Sequence, residues 1–221
     1  MKPTCLKPTR KRVAILISGR GSNMAALIAA AADPDYPAEI ALVLSNKPDA
    51  GGLALAKAAG IATAVVDHRD FPRDRPAHEA AIDAVLNQAG IELICLAGYL
   101  RLLTPLLVGR WAGAMLNVHP SLLPAFPGLD THARALAAGA KLHGCTVHLV
   151  TDIMDDGPIL AQAAVPVLAG DIEATLAARV LAQEHRIYPA ALAQLAGGTA
   201  GAEPSEDAAL SNPLPKTLRL Q

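Results

Sequence analysis

The six residues at 13–18, Val-Ala-Ile-Leu-Ile-Ser, run from a basic segment into Gly19-Arg20-Gly21 without a charged interruption. Such a run is too short for a helix and apolar on both sides, so it predicts a strand covered on both faces, as inside a parallel sheet. Parallel neighbours need crossover connections of about a dozen residues or more, usually helical, and the chain supplies them. An alanine-rich helix is predicted at 24–32, closed by Asp33-Pro34. Strands at 40–44, 63–66 and 93–97 then alternate with helices at 53–59 and 75–89, which are stopped by Gly60 and Gly90. A short helix at 105–110 precedes the strand that bears Asn117. A helix at 131–138, strands at 146–150 and 159–167 and a long helix at 171–195 follow. Asp171 is the predicted N-cap of that last helix, and Pro189 is expected to bend or interrupt it. The alternation defines an α/β protein built on a mostly parallel, doubly wound sheet.

At 221 residues the chain fits one domain of ordinary size. A formal net charge of −1 with 52% hydrophobic residues excludes a disordered chain and offers no basic surface for nucleic acid. No membrane partner is expected, because the basic residues Lys2, Lys7, Arg10, Lys11 and Arg12 are followed by an apolar run that breaks at Ser18-Gly19. Cys5, Cys95 and Cys145 make no Cys-x-x-Cys pair, which predicts a reducing, cytoplasmic setting. Beyond Gly197 the composition turns to Gly, Pro, Ser and acidic residues, and 197–221 reads as a loosely held tail, like residues 1–11 at the other end.

The chemistry concentrates between Asn117 and Asp155. Asn117 and His119 stand two apart on a strand, so their side chains share a face, while Val118 takes the other. Pro120 keeps His119 extended. An amide donor and an imidazole on stiff backbone are suited to stabilising a developing oxyanion. Asp155, in a turn-rich segment between two apolar runs, adds a carboxylate for general acid–base work on a carbonyl. Earlier in the chain, Gly19-Arg20-Gly21-Ser22-Asn23 links a strand to a helix, the arrangement in which backbone N–H groups hold phosphate. His143 and His148 are five apart on a strand and face opposite ways, with no Cys or His cluster beside them, so no metal site is predicted.

The string Asn117-Val118-His119-Pro120-Ser121-Leu122-Leu123-Pro124, followed by Pro127-Gly128-Leu129 and Thr131-His132, resembles the signature of the folate-dependent formyltransferases. Among them it is most similar to the branch whose acceptor is glycinamide ribonucleotide, and the likeness is colinear over about residues 12–195. The resemblance implies a single Rossmann-like formyltransferase domain at 12–196, with a nucleotide half at about 12–98 and a folate and catalytic half at about 99–196. It implies transfer of a formyl group from 10-formyltetrahydrofolate, a co-substrate, to the amine of glycinamide ribonucleotide in purine biosynthesis, without metal. Asn117, His119 and Asp155 would be catalytic: the first two donate to the oxyanion, and Asp155 keeps His119 protonated while relaying the proton. Gly19, Arg20, Gly21, Ser22 and Asn23 would hold the substrate phosphate, with Arg75 or Arg73 beside them, and Pro120 and Glu184 would contact the rest of the ribonucleotide. Tyr99, Leu100, Arg101, Leu102, Leu103 and Asp155 would line the folate pocket, and Leu123-Pro124 would be a cis bond.

Two positions depart from the family pattern: Asp130, commonly histidine, and Asp156, commonly a small residue, which would pair with Asp155 if both were buried. Formyltetrahydrofolate hydrolases and tRNA-formylating enzymes share parts of the string. They are expected to carry an additional N-terminal domain and a basic C-terminal domain respectively, for which this chain shows no counterpart. A bare nucleotide-binding module would account for the glycine loop alone. Small-molecule substrates are the expected partners, with a monomer or homodimer left open.

Overall fold

The computed structural model describes residues 10–197 and 209–211. Five strands form the parallel part of one sheet: β1 (Lys11–Ile17), β2 (Ala38–Ser45), β3 (Ala62–Val65), β4 (Leu93–Leu96) and β5 (Met115–His119). They lie in the order β3-β2-β1-β4-β5 and pair in parallel throughout. Residues 13–17 of β1 are fully buried, as their unbroken apolar character requires. Right-handed crossovers put the helices on opposite faces. Helices α1 (Ser22–Ala31) and α2 (Gly51–Ala58) pack on one face, and α3 (Arg75–Gln88) and α4 (Pro105–Arg110) on the other. The winding reverses between β1 and β4, so the crevice outside their C-terminal ends is where such a sheet takes ligands.

After β5 the sheet changes character. Following α5 (Thr131–Ala137), strands β6 (Leu142–Leu149) and β7 (Ile159–Pro166) run antiparallel to their neighbours and extend the same sheet beyond β5. Strand β6 begins four residues earlier than the pattern predicts, because Gly144 continues the ladder: a Cβ there would come within 2.0 Å of the Ala163 carbonyl oxygen. Gly144 is a close-approach residue within the strand.

The long helix α6 (Glu173–Leu195) closes the face shared with α1 and α2. Its buried Tyr188 places its hydroxyl 3.0 Å from the Leu96 carbonyl and 3.2 Å from that of Leu116, which fastens the helix to the ends of β4 and β5. The N-cap position is Ile172 rather than Asp171. The Asp171 carboxylate instead accepts from Leu168 N, Thr175 Oγ1 and the Arg179 guanidinium, which hold it well below the usual carboxylate range.

Of the two ends expected to be loosely held, residues 1–9 and 198–208 and 212–221 lie outside the described residues. Arg10 donates to the Ala31 and Ala38 carbonyls, and Lys11, the first residue of β1, pairs with Glu92 at 2.7 Å. From the C-terminal stretch, Ala209–Ser211 adds an eighth strand, β8, antiparallel to β7; the rest of that stretch lies outside the described residues. Among the described residues no helix is long and apolar enough to cross a membrane.

Candidate active site

Strand β5 pairs with β6 so that Asn117 faces His148 and His119 faces Thr146. These four side chains therefore share the face opposite Val118, Val147 and Leu149, which are buried in the core under α6. His119 is 6% exposed. Its Nε2 lies 3.0 Å from the Phe126 carbonyl and its Nδ1 lies 3.5 Å from Asp155 Oδ2. Each ring nitrogen thus meets an oxygen that only accepts, Nε2 at hydrogen-bond distance and Nδ1 in a longer contact with the carboxylate.

His148 is arranged the other way. Its Nδ1 donates to the Leu149 carbonyl at 2.9 Å, so Nε2 carries the lone pair that accepts from Asn117 Nδ2 at 3.3 Å. Burial pushes its pKa down, against the nearby Asp155 charge, which keeps the ring neutral. One N–H of the Asn117 amide is thereby committed, leaving the other free. The sequence offers His148 only as a metal ligand; its hydrogen bond to Asn117 depends on the β5–β6 register. Among the described residues no group of three or more His, Cys, Asp or Glu side chains is arranged to hold a metal.

Asp155 sits in left-handed backbone, φ 56°, and its Oδ2 also accepts from Gly128 N at 2.8 Å, joining the 151–157 turn to the proline-rich loop. That turn lies tight on β6, since a Cβ on Gly157 would fall 1.6 Å from the Leu149 carbonyl oxygen. Asp156 is exposed, so the two neighbours do not form a buried carboxylate pair.

The proline-rich loop is pinned from beneath. Thr146 Oγ1 donates to the Ser121 carbonyl and accepts from Leu123 N, while Gln162 Nε2 donates to the Leu123 carbonyl. Thr131 Oγ1 donates to the Pro120 carbonyl, and the Leu123–Pro124 bond is cis. Among the described residues, the non-glycine residues with positive φ are Arg73, Phe126, Asp130 and Asp155. Three of them surround this site, as strained backbone tends to do. Asp130 stands at the N-cap of α5 with φ 55°, a conformation that Asp tolerates better than most residues, and this accounts for its place in the loop.

A second group forms where α1 meets α6. Gly21, φ 77°, turns β1 into α1, whose first amides carry no side-chain cap. The loop rests on Gly52, which donates from N to the Gly19 carbonyl at 3.0 Å and has no room for a side chain: a Cβ would lie 2.6 Å from Ile17 Cδ1. Asn23 Nδ2 donates to Glu184 Oε2 at 2.7 Å, and burial pushes the Glu184 carboxyl up against this hydrogen bond. Asn23 Oδ1 is buried without a partner.

The third group is a cavity of about 590 Å³ lined by Phe71, Arg73, Arg75, Pro76, Arg101 and Thr104. Arg73 and Arg75, the two arginines expected beside the phosphate, line it together with Arg101, because α3 opens at Arg75 beside the 99–104 segment. In that segment Leu100 and Leu102 are 72% and 57% exposed, and the Tyr99 hydroxyl is buried without a partner. Ser18 joins this segment to the glycine loop: its hydroxyl accepts from Leu100 N at 2.9 Å and donates to Asn46 Oδ1 at 2.6 Å, and its amide donates to the Gly98 carbonyl.

A doubly wound sheet with an Asn-His-Asp group at one strand end and a glycine loop at another defines a class, and the family comparison agrees. The family model described as formyl transferase matches residues 11–192, and the chain belongs to that family. Within it, the chain is similar to phosphoribosylglycinamide formyltransferase of Escherichia coli (strain K12), 44% identical over 84% of this chain and 87% of that one. The crystal structure of phosphoribosylglycinamide formyltransferase from Brucella melitensis superposes with a TM-score of 0.82 at 61% identity, covering 86% of this chain and 98% of that one. The human trifunctional purine biosynthetic protein adenosine-3 is 48% identical over 86% of this chain, which spans 19% of its length.

Proposed function

We propose that this protein transfers the formyl group of 10-formyltetrahydrofolate to the amine of glycinamide ribonucleotide, a step of purine biosynthesis. The observation that carries the reading is His119, held between Asp155 and the Phe126 carbonyl beside an Asn117 amide with one free N–H. The folate supplies the formyl carbon. As the amine nitrogen bonds to that carbon, negative charge gathers on the formyl oxygen, and the free N–H of Asn117 and the Nε2–H of His119 are the donors that meet it. The Phe126 carbonyl keeps the Nε2 proton in place until the oxyanion takes it over. Asp155 faces Nδ1 and stabilises the charge on the ring. The amine then gives up a proton and the folate N10 gains one as the C–N10 bond breaks, with Asp155 and His119 as the groups beside that transfer.

The uncapped amides of Gly21, Ser22 and Asn23 suit the phosphate, together with Gly19 and Arg20. Glu184, positioned by Asn23, and Pro120 border the rest of the ribonucleotide. Exposed Leu100 and Leu102 suit the folate ring system, and the guanidinium groups of Arg73, Arg75 and Arg101 suit its acidic end. Among the described residues, the free thiols Cys95 and Cys145 are buried, in keeping with a reducing, cytoplasmic setting.

Loss of the formyl group, followed by absorbance, is expected to be slow with 10-formyltetrahydrofolate alone and fast once glycinamide ribonucleotide is added, because a positioned acceptor supplies much of the barrier reduction. Glycinamide without the phosphoribosyl group is expected to be a far poorer acceptor. Equal rates with and without acceptor would make the protein a hydrolase. A response only to charged initiator tRNA would make it a tRNA-modifying enzyme, and no turnover would leave a binding module.

A further inference from the structure

Glu79 is charged by nature yet 2% exposed, and it is not part of the catalytic group. It lies one turn into α3, and both of its oxygens are spent on one residue: Oε1 accepts from Thr104 N at 2.8 Å and Oε2 from Thr104 Oγ1. Thr104 stands at the N-cap of α4, but its hydroxyl makes no cap and reaches across to Glu79 instead. Thr104 and Arg101 form one wall of the arginine cavity; Arg73, Arg75 and Pro76, at the start of the helix that carries Glu79, form the other. A single buried carboxylate therefore ties the two walls together.

This tie is separate from the one that docks the helices. Asp83, one turn further along α3, accepts from Trp111 Nε1 at 2.9 Å and pairs with Arg110 Nε at 3.0 Å, which secures the far end of α4. With α4 already secured by Asp83, the Glu79 contact acts on the segment leading into it. Tyr99, in the same segment, registers both charges: burial raises its hydroxyl, Arg101 lowers it and Glu79 raises it.

We infer that Glu79 is a positioning residue for the folate co-substrate: by fixing Thr104 against α3 it sets the spacing of the three arginines and so the affinity for the carboxylates at the acidic end of the ligand. The inference rests on the proposed formyl transfer, and turnover by the unaltered protein tests that reading separately. The test of Glu79 compares two ligands that differ only in the terminal glutamate, tetrahydrofolate and tetrahydropteroate, by calorimetry on the full chain, with KM and kcat measured for the matching formyl donors. Glu79→Ala should weaken binding of tetrahydrofolate about tenfold or more, the scale of losing hydrogen bonds to a charged group. It should leave tetrahydropteroate binding, kcat and the KM for glycinamide ribonucleotide essentially unchanged.

Glu79→Gln should restore most of the affinity, because its carbonyl accepts from Thr104 N and its amide donates to the Thr104 hydroxyl. Thr104→Ala removes one of the two hydrogen bonds from the other side, and should show the same selectivity for the glutamate-bearing ligand if Glu79→Ala does not fold. Asp83→Asn should lower the melting temperature without changing the ratio between the two ligands. Equal weakening of both ligands, or a fall in kcat with both affinities intact, would overturn the inference.

Discussion

His119 shows how much of the site one residue organises. Its two nitrogens are committed to Asp155 and to the Phe126 carbonyl, so the ring is held in orientation before any ligand arrives. His119→Ala is expected to lower kcat by about 100- to 1000-fold, the usual cost of removing a preorganised donor, with an unchanged far-ultraviolet spectrum. Turnover near the wild-type level would place the chemistry elsewhere. His148→Leu should have a smaller effect of a different kind. It frees the Asn117 amide to rotate, so kcat should fall about tenfold, in line with loss of one orienting hydrogen bond, while both KM values stay within about twofold. A change confined to KM would refute an orienting role. Asn117, His119 and Asp155 were legible because they lie in one short string whose parity can be read residue by residue. His148 was not, because its partner across the ladder is 31 positions away in sequence and only the register reveals it. Glu79 was equally hidden, since an acidic residue inside a helix looks solvated until the segment at 99–104 is seen to lie over it.

Elements that follow local pattern were legible within a residue or two. Strand β1 and helices α3 and α4 have apolar runs, glycine stops or a leading proline that act locally. Where tertiary contact overrides local preference the reading failed: β6 continues through Gly144, and Asp171 gives its carboxylate to Arg179 instead of to the helix start. The junction of α5 and β6 carries a consequence for acid stability. His132 Nδ1 and His143 Nε2 lie 3.1 Å apart, an arrangement that shares a single proton. Burial, then His132 and His119, push the His143 pKa down to about 4, and burial also lowers that of His132. The unfolded chain, with an ordinary histidine near 6.5, binds the proton that the folded chain refuses. Stability should therefore be fully present above pH of about 6.5 and decline as pH falls from there through about 4. Urea midpoints measured between these limits should show that slope in the native protein and a shallower one in His143→Leu. Identical slopes would remove the histidine pair as the cause.

For the whole molecule, the doubly wound parallel sheet was legible from the alternation of strands and helices, whereas the order β3-β2-β1-β4-β5, and with it the crevice at the reversal of winding, is seen only in the structure. The antiparallel end of the sheet was not legible either, because apolar runs such as 146–150 and 159–167 carry no sign of direction. Nor was the return of Ala209–Ser211 to the edge of β7, since a polar, proline-containing stretch gives no local strand signal. One contact at the crevice has a bearing on how two ligands meet. The Ser18 hydroxyl holds the Leu100 amide, its own amide holds the Gly98 carbonyl, and its backbone leads into Gly19, so the ends of β1 and β4 are fastened together at one residue. Whatever stills one of these loops stills the other, and the second ligand to arrive finds less freedom left to remove. Binding should then be cooperative and reciprocal, with each ligand tightening the other by the same factor, about fivefold or more for couplings of ordinary size. Calorimetry with tetrahydrofolate and glycinamide ribonucleotide, titrated in either order, should give one ratio, and Ser18→Ala should bring that ratio towards unity. Independent isotherms in the native protein would mean that the two loops, though joined, move as strangers.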